Sequence, residues 1–417
     1  MAKQKISRRE LLAGAAATAA TMVIPKGVFA HASNEIRIGL IGSGGRGTGA
    51  AIDACMAHPE AVIWAMGDLF ANRNASSLKH LKEQLKERCK VTDDRVFTGF
   101  ENYKHVIDSG VDVVILTAPP GFRPQHLKYA IDEGKHVFME KPVAVDAPGY
   151  RSVIQSSAEA KRKKLTIVAG TQRRHDIAYQ QAIEKIHGGD LGDVVAMYAY
   201  WNQGGLWAVQ KTPEMSGMEW QIRNWLYFTW LSGDMIVEQH VHNIDVCNWV
   251  MGKHPVKAIS LAGRQVRTGE IYGHIYDHFA TEFEYENGVK MISMCRQIDG
   301  TASRVSEHIV GTKGTSNACT YIRGDNNWRY DGERPNPYVV EHKRLFDSIL
   351  KNEGFNEGVQ VAESTMTAIL GRMAGYTGQE ITWEQAVNSQ ENLFPEKLEM
   401  TAMEIPPVAV PGKTKLT

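Results

Sequence analysis

Neither sign of charge is in excess in this sequence: 47 Lys and Arg stand against 47 Asp and Glu, which removes any electrostatic case for nucleic acid or a membrane surface as partner. Cysteine is sparse, and Cys55, Cys89, Cys247, Cys295 and Cys319 show no C-x-x-C spacing, so buried thiols are expected and a staple or zinc knuckle is not. No internal repeat is present. Low complexity is confined to the proline-bearing tail, 405–417, which is expected to lie loosely on the surface. Long apolar runs are also missing; the mild run Leu11–Ile24 is too short and too weak for a stable membrane span. What these absences leave is a soluble globular chain with a small-molecule partner, and 417 residues exceed what one core usually supports.

Glycine is plentiful, and its placement carries information. Ile36–Ile41 runs apolar into Gly42-Ser-Gly-Gly-Arg-Gly47 and a helix-like stretch from Thr48 to Ala57. In a strand, glycine turn and helix of this kind, Gly42 permits the tight turn, Gly44 and Gly45 let backbone approach a pyrophosphate, and Gly47 allows close helix packing. The phosphates would lie over unpaired helix N–H groups. Ala61–Met66 predicts a second buried strand that delivers Asp68 where a ribose-binding acid belongs, favouring NAD over NADP, although Arg73 is placed to accommodate a 2′-phosphate. Asp68 could equally cap the helix that follows. Arg46 is a candidate phosphate contact.

Further strands are predicted at Val111–Thr117, Lys135–Glu140 and Leu165–Gly170, with a helix from about Arg123 carrying His126. The alternation specifies a doubly wound parallel Rossmann sheet over residues 34–171, with ligands outside the carboxyl ends of its strands. Lys141 stands at one of those ends. After Gly192 the texture changes to long strands, 193–202, 256–265, 277–286, 289–297 and 306–310, and Asn287-Gly288 is a strong hairpin signal. Residues 172–417 are therefore expected to form an α+β domain with a large open, mainly antiparallel sheet. Helices near 341–350 and 359–375 would pack on it or back on the first domain, and its free face would suit a homo-oligomer.

Taken together, the glycine turn, Asp68, Thr117-Ala-Pro119 with His126, and Gly134-Lys-His-Val-Phe-Met-Glu-Lys-Pro142 resemble the Gfo/Idh/MocA family, named for glucose-fructose oxidoreductase and inositol dehydrogenase. The resemblance implies cofactor contacts from Gly42, Gly44, Gly45, Arg46, Gly47, Asp68, Arg73, Thr117, Pro119, His126, Glu140 and Lys141. It also implies that Lys141 of Glu-Lys-Pro reaches substrate beside the nicotinamide. A second match, 232–245, implies that Glu238 and His242 face that lysine, with Asp245 in support. The family more often carries aspartate at Glu238 and glycine at His240, so either His240 or His242 is the candidate base.

The chemistry suits these residue types. A hydride leaves an alcohol carbon only as the hydroxyl proton departs, so a base of near-neutral pKa and a cation for the developing oxyanion act together. Arg173, Arg174, His175, Trp207, Arg223 and Trp225, with Trp201, Asn202, Gln203 and Trp220, are candidate sugar contacts, since tryptophan stacks on ring faces while polar groups bond hydroxyls. Glu238, His240, His242 and Asp245 with His274 or His278 form an alternative metal set, on the premise that histidines two apart on an extended segment share a face; no metal is the expectation.

Arg8-Arg9 before the Leu11–Ile24 run, and Ala30-His-Ala32 after it, predict a twin-arginine signal peptide over residues 1–32 and a periplasmic or otherwise exported product; an ordinary signal peptide is the alternative. Export of a folded enzyme implies a nucleotide bound beforehand and kept. The expected function is an NAD-dependent oxidoreductase acting on a hydroxyl of a sugar, sugar derivative or cyclitol. A redox-neutral glycoside hydrolase and a non-catalytic nucleotide-containing binding protein are the alternatives.

Overall fold

A computed structural model describes residues 34–417; the expected leader, residues 1–32, lies outside the described residues. The first sheet has six parallel strands, β1 (Ile36–Ile41), β2 (Ala61–Asp68), β3 (Val96–Thr98), β4 (Val113–Leu116), β5 (His136–Met139) and β6 (Ile167–Ala169), in the order β3-β2-β1-β4-β5-β6. That is the doubly wound Rossmann arrangement, with the reversal of strand order between β1 and β4 marking the ligand crevice. Helices α1 (Gly45–Ala57), α2 (Ala71–Leu85), α3 (Asn102–Asp108), α4 (Arg123–Asp132) and α5 (Ala147–Arg162) complete the crossovers. The strands read as continuous apolar runs because both faces are covered: Ile38, Leu40, Val114 and Val137 are fully buried. Three residues before the predicted helix start, α1 already begins at Gly45, where glycine's poor intrinsic propensity had favoured a loop. The three-residue β3 carries too short a pattern to read from sequence.

The second sheet has nine strands, in the order β14-β13-β12-β11-β7-β10-β9-β8-β15. Its centre comprises β7 (Val194–Gln203), β8 (Lys257–Gly263), β9 (His278–Glu284), β10 (Lys290–Gln297) and β11 (Arg304–Gly311). The edges are the short β12 (Gly314–Ser316), β13 (Tyr321–Gly324), β14 (Trp328–Arg329) and β15 (Ile381–Thr382). All described pairings are antiparallel except β7 with β10, so the sheet is mixed. The β9–β10 hairpin turns at Asn287-Gly288, with Gly288 at φ 80°. One face of this sheet is covered, burying Met197, Phe283, Met291 and Ile309 in a core shared with helices. Residues in register on the other face, Leu261, Ala280, Met294 and Tyr200, leave Leu261 80% exposed.

Between and after these strands come α6 (Ile177–His187), α7 (Gly217–Arg223), α8 (Val241–Met251), α9 (Pro337–Leu350) and α10 (Gly358–Thr377). Helix α9 packs back on α1 and β6, whereas α10 lies against both α5 and β8 and so ties the two sheets together. The C-terminal tail departs from expectation. Although irregular, it is pinned: Ser389 Oγ and Gln390 N donate to the Thr417 carbonyl, Tyr276 Oη donates to that of Ala409, and Ala409 and Leu416 pack against the core. Among the described residues, no helix is long and apolar enough to cross a membrane.

Candidate active site

A cavity of about 820 Å³ opens over the carboxyl ends of the Rossmann strands. Its floor is the glycine turn. Gly42 sits at φ 96°, and a Cβ there would lie 2.5 Å from the Ala118 nitrogen; one on Gly47 would lie 1.9 Å from the Gly42 carbonyl oxygen. Both are required by the close approach of turn, helix and strand. Gly44 and Gly45, by contrast, face open space within 4 Å, and the start of α1 has neither a side-chain cap nor an acid in its first turn. Free helix N–H groups under an open, side-chain-free cradle fit a pyrophosphate. The Thr117 hydroxyl braces the turn by donating to the Ile41 and Gly42 carbonyls, at 3.0 and 2.6 Å.

Asp68, at the end of β2, is buried and accepts from the backbone N–H groups of Ser43 (2.8 Å) and Phe70 (3.0 Å). It does not cap α2, whose N-cap is Phe70. Burial pushes its pKa up, opposed by the Phe70 N–H and the Arg73 charge, then by the Ser43 N–H and Arg223. Arg46 is already engaged by carboxylates instead of standing free for phosphate. It pairs with Glu140, with Glu341 at 3.2 Å and with Asp53 at 3.5 Å, and lies over the Tyr338 ring. Glu140 thus ties the glycine turn to the strand end that carries Lys141.

The Lys141 Nζ donates to the backbone carbonyl of Glu238 at 2.8 Å and to its Oε1 at 3.1 Å, while Glu238 Oε2 accepts from Gln239 at 2.6 Å. The Lys141–Pro142 bond is cis. His242 lines the same cavity, and its ring stacks on Trp201, centroids 5.7 Å apart. Burial, then the nearby charges of Lys141, Arg173 and Arg46, hold its pKa well below the usual 6.5, so it stands neutral. His240 lies elsewhere: fully buried, it bonds Ser293 Oγ through Nε2 at 2.7 Å, and burial holds it at about 3. The segment is helical here, not extended, so residues two apart point about 200° from each other, and the premise for a shared metal face fails. Among the described residues, no three or more His, Cys, Asp and Glu side chains are grouped so as to hold a metal ion.

Other expected contacts separate in the same way. Arg173 pairs with Glu307, Arg174 grips Asp245 through bonds of 2.8 and 2.9 Å, and His175 meets Glu357 at 3.3 Å; none lines the cavity. Asp245 therefore braces Arg174, and not His242. Trp220 is buried and donates to the Val209 carbonyl, and Trp201 bonds Gln203 on β7 while touching the site only through His242. His274 bonds Thr229, and His278 bonds Asp277. Trp207, Arg223 and Trp225 do line the cavity, as do Arg73, Pro119 and His126. His126 is buried against Tyr103, rings 4.3 Å apart, with its pKa lowered by burial to about 3.

Among the cavity residues that the sequence reading did not single out, Gln172 and Arg123 are the most informative. Gln172, whose Oε1 is buried without a partner, is one position before the arginines that drew attention. Arg123 is 1% exposed and donates to the Glu140 carbonyl at 2.9 Å and that of Ala118 at 2.8 Å, bracketing the two strand ends that carry the site. A single arginine on a predicted helix start gives no signal of this.

Two family models match this chain: the NAD-binding Rossmann fold of the GFO/IDH/MocA oxidoreductase family over residues 36–169, and the GFO/IDH/MocA C-terminal domain over 179–317. The chain belongs to the Gfo/Idh/MocA family. Among curated members it is similar to inositol 2-dehydrogenase 3 of Saccharopolyspora erythraea, 26% identical over 43% of this chain and 46% of that one. It is also similar to the NAD(+)-dependent scyllo-inositol 2-dehydrogenase of Bacillus subtilis, 23% identical over 51% and 56%. The chain thus spans about half the length of the curated relatives it matches. Two solved structures share the fold across 84% of this chain and 99% of theirs. They are scyllo-inositol dehydrogenase from Lactobacillus casei with bound NAD(H) and scyllo-inositol (19% identity, TM-score 0.63) and aldose-aldose oxidoreductase from Caulobacter crescentus (15%, 0.64). The matching Rossmann model is that of an NAD-binding family, and the open glycine cradle of this chain fits the pyrophosphate of a nicotinamide dinucleotide.

Proposed function

We propose that this protein is an NAD-dependent oxidoreductase that removes a hydride from a hydroxyl-bearing carbon of a sugar, sugar derivative or cyclitol. The observation that carries it is the convergence, in one cavity, of the glycine cradle with Lys141, Glu238 and His242. When bound, the nicotinamide supplies the hydride acceptor. His242 takes the hydroxyl proton at a ring nitrogen; burial and nearby cations make it a weaker base than the near-neutral one expected, and the Lys141 ammonium offsets this by stabilising the negative charge that develops on the hydroxyl oxygen. Glu238 holds the lysine in position through both of its bonds. Gln172 lines the same cavity beside them.

NAD is preferred over NADP because the buried Asp68 carboxylate suits ribose hydroxyls and opposes a 2′-phosphate. The Arg8-Arg9 leader supports export, and an exported enzyme without a replenished nicotinamide pool needs a nucleotide that stays bound. The open face of the nine-stranded sheet, with Ile259, Leu261 and Met294 exposed beside stacked Tyr198 and Tyr200, supports assembly into a homo-oligomer. Leu261→Glu is expected to shift sedimentation toward monomer.

The test is to incubate the mature protein with a panel of cyclitols, free sugars and glycosides while following nicotinamide absorbance and released aglycone together. Net reduction of the nucleotide by a cyclitol or sugar is the expected result. Aglycone release without net redox change would replace this reading with a redox-neutral glycosidase, and silence across the panel would favour a binding protein.

A further inference from the structure

Beyond the two sheet cores lies a third apolar cluster that crosses between the halves of the molecule. It joins Phe70 and Phe122 of the Rossmann half to Ile222, Leu226 and Trp230 of the second, with Phe394 of the C-terminal segment packed against them. Arg223 makes the most direct crossing: its guanidinium carbon lies 3.7 Å from the centroid of the Phe70 ring, while Glu219 holds its Nε at 2.8 Å. Phe70 is two residues past Asp68 and bonds it. Arg223 therefore sits near the ribose-acid end of the cavity, close enough to Asp68 to favour its charged form.

The loop that carries Trp207 and Val209 into the same cavity is built, not loose. Val209 N donates to Asn224 Oδ1 at 2.8 Å, Trp220 Nε1 donates to the Val209 carbonyl at 2.7 Å, and Tyr227 Oη lies 3.1 Å from the carbonyls of both Leu206 and Trp207. From behind, the C-terminal segment straps α7 down. Met218 N donates to the Thr401 carbonyl at 3.2 Å and Gln221 Nε2 to that of Glu404 at 3.1 Å; a Cβ on Gly217 would come within 2.3 Å of the Met403 nitrogen.

We propose that residues 206–225 form a fixed roof over the nucleoside end of the cofactor cleft, and that this roof, together with the pyrophosphate cradle, retains the dinucleotide between turnovers. The inference rests on the retained-nucleotide reading above and names the part of the chain responsible. In this proposal the contacts that hold the roof, Arg223 over Phe70 and the bonds to the strap, loosen before the nucleoside leaves, so their loss acts on the dissociation rate.

The experiment uses full-length mature protein in three forms: wild type, Arg223→Ala, and Trp207→Ala, whose half-exposed side chain is removable without emptying a core. Each is loaded with NADH and chased with excess NAD, release being followed by NADH fluorescence, with thermal unfolding recorded alongside. The expected result is release faster by about tenfold or more in both folded variants, with less nucleotide co-purifying. Release equal to wild type in both variants overturns the roof while leaving retention intact. A rise in substrate KM for Arg223→Ala with unchanged NADH release also overturns it, and returns that arginine to the substrate. If wild type purifies empty and exchanges within mixing, the retention reading falls instead; equilibrium NADH affinity then scores the roof, with equal affinities in all three forms sinking it.

Discussion

Lys141 and Glu238, 97 positions apart in sequence, meet through two bonds from one ammonium, one to the backbone carbonyl of Glu238 and one to its carboxylate. The lysine closes the Rossmann half and the glutamate ends a one-turn helix of the second half, so the contact fixes the two halves of the site against each other. Both side chains are about nine-tenths buried, which strengthens the pair relative to one in water.

Lys141→Ala is expected to lower kcat by about 10²–10⁴-fold, because charge stabilisation at the developing oxyanion is lost, and to lower the unfolding temperature as well, because the buried Glu238 carboxylate loses its partner. Glu238→Gln keeps the carbonyl acceptor and an oxygen near Nζ, so its loss should be smaller, about tenfold, and fall mainly on kcat. Steady-state kinetics of the two variants check both; equal activity in Lys141→Ala and wild type would sink the role given to this lysine.

The two histidines separate in opposite senses. His242→Gln should cost about 10²–10⁴-fold in kcat and leave folding intact, whereas His240→Ala should lower the unfolding temperature by stranding the Ser293 hydroxyl and emptying buried volume, with turnover retained. Because the His242 pKa is depressed, the neutral, proton-accepting form persists as pH falls. The acid limb of kcat/KM is therefore expected well below pH 6.5.

How these residues came to be legible differs from one to the next. The strand-turn-helix opening and the Glu140-Lys141-Pro142 strand end were readable because a parallel strand leaves its signature in contiguous residues, and a Rossmann sheet binds at known strand ends. His240 and His242 were not separable in sequence, since their relative direction depends on whether residues 238–242 are helical or extended. The run Arg173-Arg174-His175 looked like a substrate grip because charge density was visible and its buried partners, Glu307, Asp245 and Glu357, were up to 182 positions away. Short edge strands β12–β15 and the pinned tail depend on tertiary contacts that no local periodicity records.

Glycines of one turn are expected to fail in different ways. Gly47→Ala places a methyl against the Gly42 carbonyl and the Thr117 hydroxyl and should destabilise the fold by about 1–3 kcal/mol or more. A Cβ at position 44 meets nothing in the protein but fills the cradle, so Gly44→Ala should leave the unfolding temperature near wild type and weaken NAD binding. Calorimetric unfolding and titration with NAD distinguish the two; normal NAD affinity in Gly44→Ala would remove the pyrophosphate from this turn.

Buried histidines make the fold acid-sensitive before the carboxylates do. His126 and His240 are held at about 3, His136 and His274 at about 4, and His242 and His342 well below 6.5, all by burial first. In the unfolded chain each titrates near 6.5. Between that value and the depressed ones the unfolded state binds more protons, so the stability these neutral rings contribute is fully present above about pH 6.5 and is lost as pH falls below it. Each proton taken up on unfolding steepens the loss by about 1.4 kcal/mol per pH unit. Asp234, raised to about 6 by burial, and Glu341, raised well above the usual carboxylate range by burial and the neighbouring Glu140, act in the opposite sense, because the native state holds their protons where the unfolded chain has released them. The net slope therefore falls short of six protons. Denaturant unfolding at pH 7.5, 6.5 and 5.5 should give falling free energies, with proton uptake of several per molecule at the lowest value; a flat profile would mean that these rings are not neutral in the native protein.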